Sequence, residues 1–278
     1  MGFYHPASLV NDAVRHDVEV RPIDVTCSAW LCDVEDAGRA LRLGLRYVSG
    51  LREETGRRIE AARAAAPWAS LADFAARAQP NERELATLAE VGALAALGGT
   101  RRQALWQVDA LGKSGALFAG VDPHLPAAGA NVDVPPLPEM TLAEEMAADF
   151  RAGSISTGPH PITFVRAELD RRGVTRAADL RSIPDGHRAA IAGVVIVRQR
   201  PGTAKGFVFV TLEDETGFAN AIVTPRRFAL HKHVIVANSA LVIEGVLQNL
   251  EGVVSIKADR FEPLEGDAAV VDISHDFH

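Results

Sequence analysis

Two patterns of apolar residues run along the chain, and they predict different folds for its two halves. Between residues 37 and 111 the apolar positions recur at helical spacing, as at Leu85, Leu88 and Val91. Beyond residue 185 the period shortens to two, which is typical of half-buried β-strands. The pattern therefore predicts a multidomain α+β protein, in which a helical domain is followed by a β domain.

The helical half is predicted to contain about five short helices. Leu41, Leu45 and Val48 form the apolar face of the first, which Ser49-Gly50 interrupts, and a new helix runs through Ile59 to Ala66. Ser70 and Asn81 have the residue type and the position of helix N-caps. The order of helix, glycine turn and helix over residues 43–63 predicts a helix-hairpin-helix unit, and 88–105 resembles a weaker second one.

The β half is predicted to form a closed barrel. Its five strands are expected at residues 190–197, 207–212, 218–223, 240–247 and 253–258. A helix over 225–232 separates the third strand from the fourth. Five short strands with a helix at that point match the five-stranded barrel of the OB fold.

Changes in composition between these patterns give the other boundaries. A Pro- and Gly-rich stretch predicts a linker rather than a packed element. We expect six segments: an amino-terminal piece of something larger (1–36), the helix-hairpin-helix domain (37–111), a Pro/Gly/acidic linker (112–140), a helical connector (141–185), the OB-fold barrel (186–263) and an acidic tail (264–278).

Composition narrows the class of protein. The 278 residues are 47% hydrophobic, but no stretch approaches the roughly 20 apolar residues that cross a bilayer, and the first residues do not show the basic-then-apolar pattern of a signal peptide. Cys27 and Cys32 are the only cysteines, so a disulfide scaffold is excluded and we expect a cytoplasmic protein without a membrane partner. The net charge of −7 argues against binding nucleic acid by overall charge, although residues 39–63 alone carry seven Arg and three acidic residues.

The outer face of the second and third barrel strands is the first candidate site. Val208, Val210 and Leu212 are expected to fill the barrel, which leaves alternate residues outside. Outward aromatic rings beside a basic loop can stack unpaired bases while the cations neutralise phosphates. The candidate DNA-binding residues are Arg198, Arg200, Lys205, Phe207, Phe209, Phe218 and Asn220. The alternative is that the phenylalanines pack under the helical domain and the loop is merely solvated.

The hairpin is the second candidate site. A tight glycine turn exposes backbone N–H groups at the start of the next helix, where the helix dipole favours a phosphate. The candidate residues are Arg46, Ser49, Gly50, Leu51, Arg52, Arg57 and Arg58. Arg52 stands where such hairpins usually have a second glycine, so we expect its side chain to contact the phosphate. The alternative is an ordinary helical turn with solvated arginines.

Other polar clusters are interpreted as structural. Glu213-Asp214-Glu215 is expected to be a solvated turn rather than a metal site, and His231 and His233 have spacing that suits no metal pair. Two-metal phosphoryl transfer commonly uses an Asp-x-Asp pair, and the sequence contains none. We therefore expect no catalytic residues, no metal and no cofactor in this chain.

Six sequence motifs in order identify a resemblance that covers essentially the whole chain. They are MGFYHP at 1–6, EVRPIDV at 19–25, ALRLGL at 40–45, RRQALW at 101–106, RQRPGTAKG at 198–206 and TLEDETG at 211–217. Together they resemble bacterial C-family (DnaE-type) DNA polymerase III alpha subunits, and within them the error-prone, damage-inducible, ImuC-like branch.

The resemblance implies the carboxy-terminal part of a longer polymerase. Residues 1–36 would be the end of the fingers, and the palm with its catalytic aspartates would lie outside this chain, which is then inactive alone. The hairpin domain would bind duplex DNA and the OB domain single-stranded template, in damage-induced mutagenesis, translesion synthesis and replication. The implied partners are the missing polymerase core, a Y-family-like mutagenesis protein and the sliding clamp, and the intact enzyme would use Mg²⁺.

Two other functions fit the same residues. One is a free-standing single-stranded-DNA-binding accessory module that uses the barrel face. The other is a protein-interaction scaffold, in which the outward phenylalanines bind a partner protein.

Overall fold

The computed structural model describes residues 5–117, 137–153, 155–264 and 275–277. The chain divides into two compact units, and each is described by itself. Residues 18–157 form the helical unit, whereas residues 1–17 and 158–278 form the barrel unit. The predicted segments 1–36 and 141–185 are thus each divided between the two units.

The helical unit combines a small sheet with short helices. The sheet has the order β1-β3-β2, with β1 (Glu19–Arg21) parallel and β2 (Asp33–Glu35) antiparallel to β3 (Ala40–Arg42). The helices are α2 (Glu53–Ala65), α3 (Leu71–Ala78), α4 (Glu82–Glu90), α5 (Ala95–Gly98), α6 (Arg101–Leu117) and α7 (Leu142–Gly153), with 3₁₀ turns at Asp36–Gly38 and Leu45–Tyr47.

Both predicted N-caps are confirmed. The Ser70 hydroxyl accepts a hydrogen bond from the Asp73 amide at 3.1 Å, which starts α3. Asn81 and Glu84 form a reciprocal capping box at α4, where each side chain accepts from the other's backbone N–H. These local side-chain bonds satisfy amides that have no partner within the helix.

The predicted helix over residues 37–48 is wrong. Leu41 lies in β3, with Val20 and Val34 as its partners in register. The chain then passes so close to Leu31 that a Cβ on Gly44 would lie 2.4 Å from the Leu31 carbonyl carbon. The apolar residues 41, 43 and 45 also fit a period of two, and so short a run does not distinguish strand from helix.

The linker also begins later than predicted. Helix α6 continues to Leu117, which is beyond the predicted boundary at residue 112. Residues 118–136, which hold most of the predicted linker, lie outside the described residues.

The barrel unit contains the longer strands. Its elements are α1 (Pro6–Arg15), α8 (Arg166–Arg171), β4 (Arg188–Gln199), β5 (Val208–Asp214), β6 (Gly217–Val223), α9 (Pro225–Ala237), β7 (Ala240–Leu250), β8 (Val253–Pro263) and β9 (His275–Phe277). Short 3₁₀ turns lie at Pro161–Phe164, Ala177–Ser182 and Gly202–Ala204.

The strand order is β5-β6-β8-β7-β4, and β4 pairs back with β5 to close the barrel. Helix α9 connects the third barrel strand to the fourth, as in the predicted OB fold, which is confirmed. Val208, Val210 and Leu212 are each at most 2% exposed and fill the interior together with residues from the other strands. Among the described residues, no helix combines the length and the apolar character that a membrane span requires.

The tail contains a strand that the sequence pattern did not predict. Residues His275–Phe277 form β9, which pairs in parallel with the end of β4. The rest of the predicted acidic tail beyond residue 264, apart from β9, lies outside the part of the chain that the structure describes.

Barrel closure sets a strict size limit at Gly245. A Cβ there would lie 2.2 Å from the Lys257 carbonyl oxygen on the neighbouring strand, so β7 and β8 would have to separate. We predict that Gly245→Ala lowers the free energy of unfolding of the barrel unit by about 1–3 kcal/mol in calorimetric melting. Gly202→Ala is the control, because its Cβ would meet open space. Equal stability of the two variants would contradict this packing.

Candidate nucleic-acid interface

Paired residues on neighbouring strands build a row across the outside of the barrel. Gln199 on β4 lies opposite Phe209, Phe209 opposite Ile222 on β6, and Ile222 opposite Lys257 on β8. Phe209 is 37% exposed and Lys257 is exposed. Residues opposite one another share a face of the sheet. We call these four residues the Phe209 row, which presents an aromatic ring, an aliphatic side chain and a cation together.

A polar pair lies beside the Phe209 row. Thr211 is opposite Asn220, and its hydroxyl donates to the Asn220 Oδ1 at 2.9 Å. Asn220 is exposed, as predicted, so its amide nitrogen can donate to a base or to a sugar.

The far end of this face is occupied by α1. Phe218 lies opposite Glu213, and the Arg15 guanidinium is 5.0 Å from the centre of the Phe218 ring. Arg15 also donates to Glu213 at 2.8 Å. Phe218 keeps 37% of its surface exposed, but a cation of this chain already lies over its ring. Phe218 is therefore placed on the predicted face but not as an open stacking platform.

The predicted solvated turn at Glu213-Asp214-Glu215 is wrong. Glu213 and Asp214 are at most 2% exposed. Asp214 accepts from the Thr216 and Gly217 amides at 2.7 and 3.0 Å, and Arg166 donates to Glu215 at 2.6 Å. Burial raises the pKa of Glu213, while the hydrogen bond from Arg15 acts in the opposite direction. Arginines that are distant in sequence thus turn an acidic run into a buried ionic network.

The loop between β4 and β5 keeps two of its three predicted cations at the surface. Arg200 and Lys205 are exposed, and neither forms an ion pair with a described carboxylate. Phe207 precedes β5 rather than lying in it; it is half-buried, and its amide donates to the Ala204 carbonyl at 3.0 Å. It therefore belongs to the loop rather than to the flat face that Phe209 occupies.

Arg198, the third predicted loop cation, is corrected by the structure. It lies within β4 with 8% of its surface exposed. Its guanidinium donates to the Ile235 carbonyl at 2.7 Å and to the Asn238 carbonyl, at the end of α9. A cation is stabilised at a helix C-terminus, where carbonyl groups lack partners. Arg198 holds the helix against the barrel and does not face solvent with Arg200.

The hairpin differs from the predicted phosphate clamp. Gly50 has a positive φ of 74° as expected of the tight turn, but the Arg52 amide donates to Glu84 at 3.1 Å. The Arg52 Nε donates to the same carboxylate at 2.9 Å, and Thr55 at 3.0 Å. The buried Glu84 carboxylate therefore takes the anion position at the start of α2, and the predicted role of Arg52 is corrected.

The other hairpin candidates separate into paired and free residues. Arg57 pairs with Glu53 and Glu60, and Arg58 with Glu54. Leu51 is 8% exposed, and its amide donates to the Val48 carbonyl, so it faces the interior. The free candidates are at the tip: Arg46, Ser49 and Gly50 are exposed, and Arg46 forms no ion pair with the described residues.

No group of three or more His, Cys, Asp or Glu side chains in the described ranges is placed to hold a metal ion. The sequence interpretation missed Ile222 and Lys257. The outward position of Lys257 follows from its place between Ile256 and Ala258, which are both buried. Its position beside Phe209 depends on the parallel pairing of β6 with β8, which has no local sequence signal.

Comparison with known families supports both units. Residues 17–104 match the helix-hairpin-helix motif family, and residues 189–264 match the OB-fold nucleic acid binding domain family. These matches support nucleic-acid binding. A structural similarity to asparaginyl-tRNA synthetase from Pyrococcus horikoshii (20% identity, 32% of this chain and 22% of that one, TM-score 0.27) adds nothing to the assignment.

Curated relatives match the whole chain. The chain is 45% identical to an error-prone DNA polymerase of Azoarcus sp. strain BH72 and 40% identical to one of Alkalilimnicola ehrlichii, in both cases over 100% of its length. It covers 26% and 27% of those proteins, so it spans about a quarter of the relatives that it matches. The resemblance to error-prone DNA polymerases is confirmed.

The buried Glu84 carboxylate gives the helical unit a defined dependence on pH. Burial raises its pKa, but hydrogen bonds from Arg52, Asn81 and Thr55 outweigh burial and lower the pKa to about 2. Because the folded pKa lies below the ordinary 4.5, this stabilisation is complete above about pH 5 and is lost as pH falls toward 2. It amounts to about 3 kcal/mol.

We predict that Glu84→Gln lowers the free energy of unfolding by about 2–3 kcal/mol at pH 7 and that this loss shrinks below pH 4. Denaturant unfolding of the full chain across this pH range measures it. Glu54→Gln is the control, since its exposed pair with Arg58 contributes about 0.5 kcal/mol or less. A loss that is equally large at pH 3 and pH 7 would show that the charge of Glu84 is not responsible.

Proposed function

We propose that this chain is a DNA-binding part of an error-prone DNA polymerase. Its whole length is homologous to about a quarter of the length of such an enzyme. In this proposal the barrel binds the single-stranded template and the helical unit contacts the duplex. The observation that carries it is the Phe209 row, with Arg200 and Lys205 exposed in the adjacent loop.

Each part of the row has a distinct task in binding. A base stacks on Phe209 and against Ile222, which contributes about 1–3 kcal/mol per base. Arg200, Lys205 and Lys257 neutralise phosphates, and Asn220 donates to a base edge or a sugar oxygen. Stacking accepts any base, because every base has a π face. This tolerance suits a template whose sequence varies.

Catalysis is assigned to the part of the polymerase that lies outside this chain. We expect the catalytic carboxylates and the Mg²⁺ of the intact enzyme there, so no chemical step involves the residues described above. The proposal extends to damage-induced mutagenesis and translesion synthesis in the cytoplasm, with a Y-family-like protein and the sliding clamp as partners. The sequence resemblance supports these roles.

The hairpin tip is the proposed duplex contact. Arg46 is exposed without an ion pair among the described residues, and Ser49 and Gly50 are exposed beside it. The other predicted cations of the hairpin are neutralised by Glu84, Glu53, Glu60 and Glu54. Arg46 is thus the hairpin cation with most to gain from a phosphate.

We predict that Phe209→Ala weakens binding of an oligothymidine about 5- to 100-fold in fluorescence anisotropy, which corresponds to the loss of one stacked base. Phe218→Ala is a matched control: the ring has the same exposure, but Arg15 covers it, so we expect a loss below about threefold. Wild-type affinity in Phe209→Ala would contradict the proposal.

Salt dependence distinguishes DNA binding from a protein-interaction scaffold. Three phosphate contacts give a slope near −2 in the logarithm of the binding constant against the logarithm of the salt concentration. An apolar protein interface would lack this slope. Oligothymidine binding that does not change between low and high salt would contradict phosphate recognition.

We predict that Arg46→Glu weakens binding of a blunt duplex by about tenfold at low salt, because it reverses the free charge at the hairpin tip. Arg57→Glu is the control, since Glu53 and Glu60 already neutralise that arginine. Anisotropy titrations with the full chain measure both variants. Equal losses would show that the ion pairs of the hairpin open on DNA.

A further inference from the structure

The first turn of α9 lies directly beyond the Phe209 row. Ile222 belongs to the row, Val223 ends β6, and the Thr224 hydroxyl caps the helix by accepting from the Arg227 amide at 3.3 Å. Arg226 and Arg227 therefore follow the row within a few residues of chain. Neither was singled out by the sequence patterns.

The basic loop and this helical turn are in contact. A Cβ on Gly206 would lie 3.4 Å from the Pro225 ring, and the Arg200 guanidinium is 5.5 Å from the centre of the Phe228 ring. The loop that carries Arg200 and Lys205 thus lies against the start of α9. The exposed cations of both segments therefore lie on adjoining parts of the barrel unit.

Ion pairing distinguishes these cations from seven other arginines of the barrel unit. Arg226 and Arg227 are exposed and form no ion pair with any carboxylate in the described ranges. Other arginines of the unit are paired, namely Arg15, Arg166, Arg171, Arg172, Arg176, Arg188 and Arg260. The carboxylate of Asp259 on β8 is held by Arg188 at 2.8 Å.

Helix α9 lies beside β8, where the centres of the His231 and Phe261 rings are 5.2 Å apart. The hydrogen bond from Arg188 is the main cause that lowers the pKa of Asp259 on β8, and the charge of Arg227 contributes to it. Asp259 lies two residues along the strand from Lys257, the cation of the Phe209 row.

The opposite end of the face is closed to a bound strand. Glu213 and Asp214 are buried there, and α1 covers the face through Arg15, which pairs with Glu213 and lies over the Phe218 ring. A strand that stacks on Phe209 therefore meets a covered end in one direction. In the other direction it meets guanidinium groups that have no ion pair among the described residues, which favours that way off the barrel.

We propose that single-stranded DNA leaves the Phe209 row over the first turn of α9, where Arg226 and Arg227 bind successive phosphates. This inference rests on the proposed function of the barrel and adds the direction of the strand and two residues. The ligand is the phosphodiester backbone, so these contacts carry no base specificity.

The test compares oligothymidines of about four and about sixteen nucleotides, which are the limits of the site sizes of OB folds. We expect Arg226→Glu/Arg227→Glu in the full chain to weaken binding of the long oligonucleotide by about tenfold or more. Binding of the short one should weaken by less than about twofold. The neutral pair Arg226→Gln/Arg227→Gln should make the salt slope of the long oligonucleotide shallower by about 1.4. The charge-conserving Arg226→Lys/Arg227→Lys pair should restore both.

Arg181→Glu is the matched control. Arg181 is exposed and has no ion pair among the described residues, but its 3₁₀ turn is bonded to the Asp214 end of the barrel. It should bind both oligonucleotides as the wild type does. The α9 variants are expected to fold, because acidic residues are favourable in the first turn of a helix.

The outcomes separate the two proposals. Suppose that the wild type binds. If the α9 glutamate variant then binds the long oligonucleotide equally well, or loses the same affinity for both lengths, the path over α9 is wrong and the stacking site remains. The same holds if Arg181→Glu weakens the long oligonucleotide as much. If the wild type binds neither length, the proposed function itself fails, and this inference fails with it.

Discussion

Ion pairing within each unit decides which of the many arginines in this chain remain available to DNA. Glu84 occupies the position at the start of α2 where a phosphate was expected, and Glu213 forms an ion pair with Arg15. Because burial makes an unpaired carboxylate costly, these acids hold their arginines in place. The cations left without an ion pair in the described part of the chain, among them Arg200 and Lys257, then mark the surface where a polyanion gains most.

The sequence predicted the barrel well because its signal is local. Alternation at Val208, Val210 and Leu212 identifies the inner face within one strand, and it places Phe209 outside without knowledge of any partner. The same reasoning failed for Arg198, whose carbonyl partner Ile235 lies 37 residues away. It also failed for Arg52, whose partner Glu84 lies 32 residues away. Charge availability depends on such distant partners, so the pattern of arginines alone overstated the candidate site.

The two ends of the barrel face differ because α1 and α9 approach it differently. Helix α1 brings Arg15 onto Phe218 and Glu213, and it closes that end. Helix α9 starts where β6 ends, and its first-turn arginines are exposed and form no ion pair with a carboxylate that the structure describes. The face is therefore asymmetric, with one end that α1 covers and an open basic end. Under the proposed function, a single strand on this face leaves over the open end.

A titration of the isotope-labelled chain with oligothymidine, followed by amide chemical shifts, tests most directly whether free cations define the site. We expect the largest shifts at Phe209, Ile222 and Lys257, in the loop that holds Arg200 and Lys205, and at the start of α9. Arg52 and Phe218, whose partners lie within the chain, should shift little. Shifts centred on Phe218 and Glu213, with none at Phe209, would contradict the account.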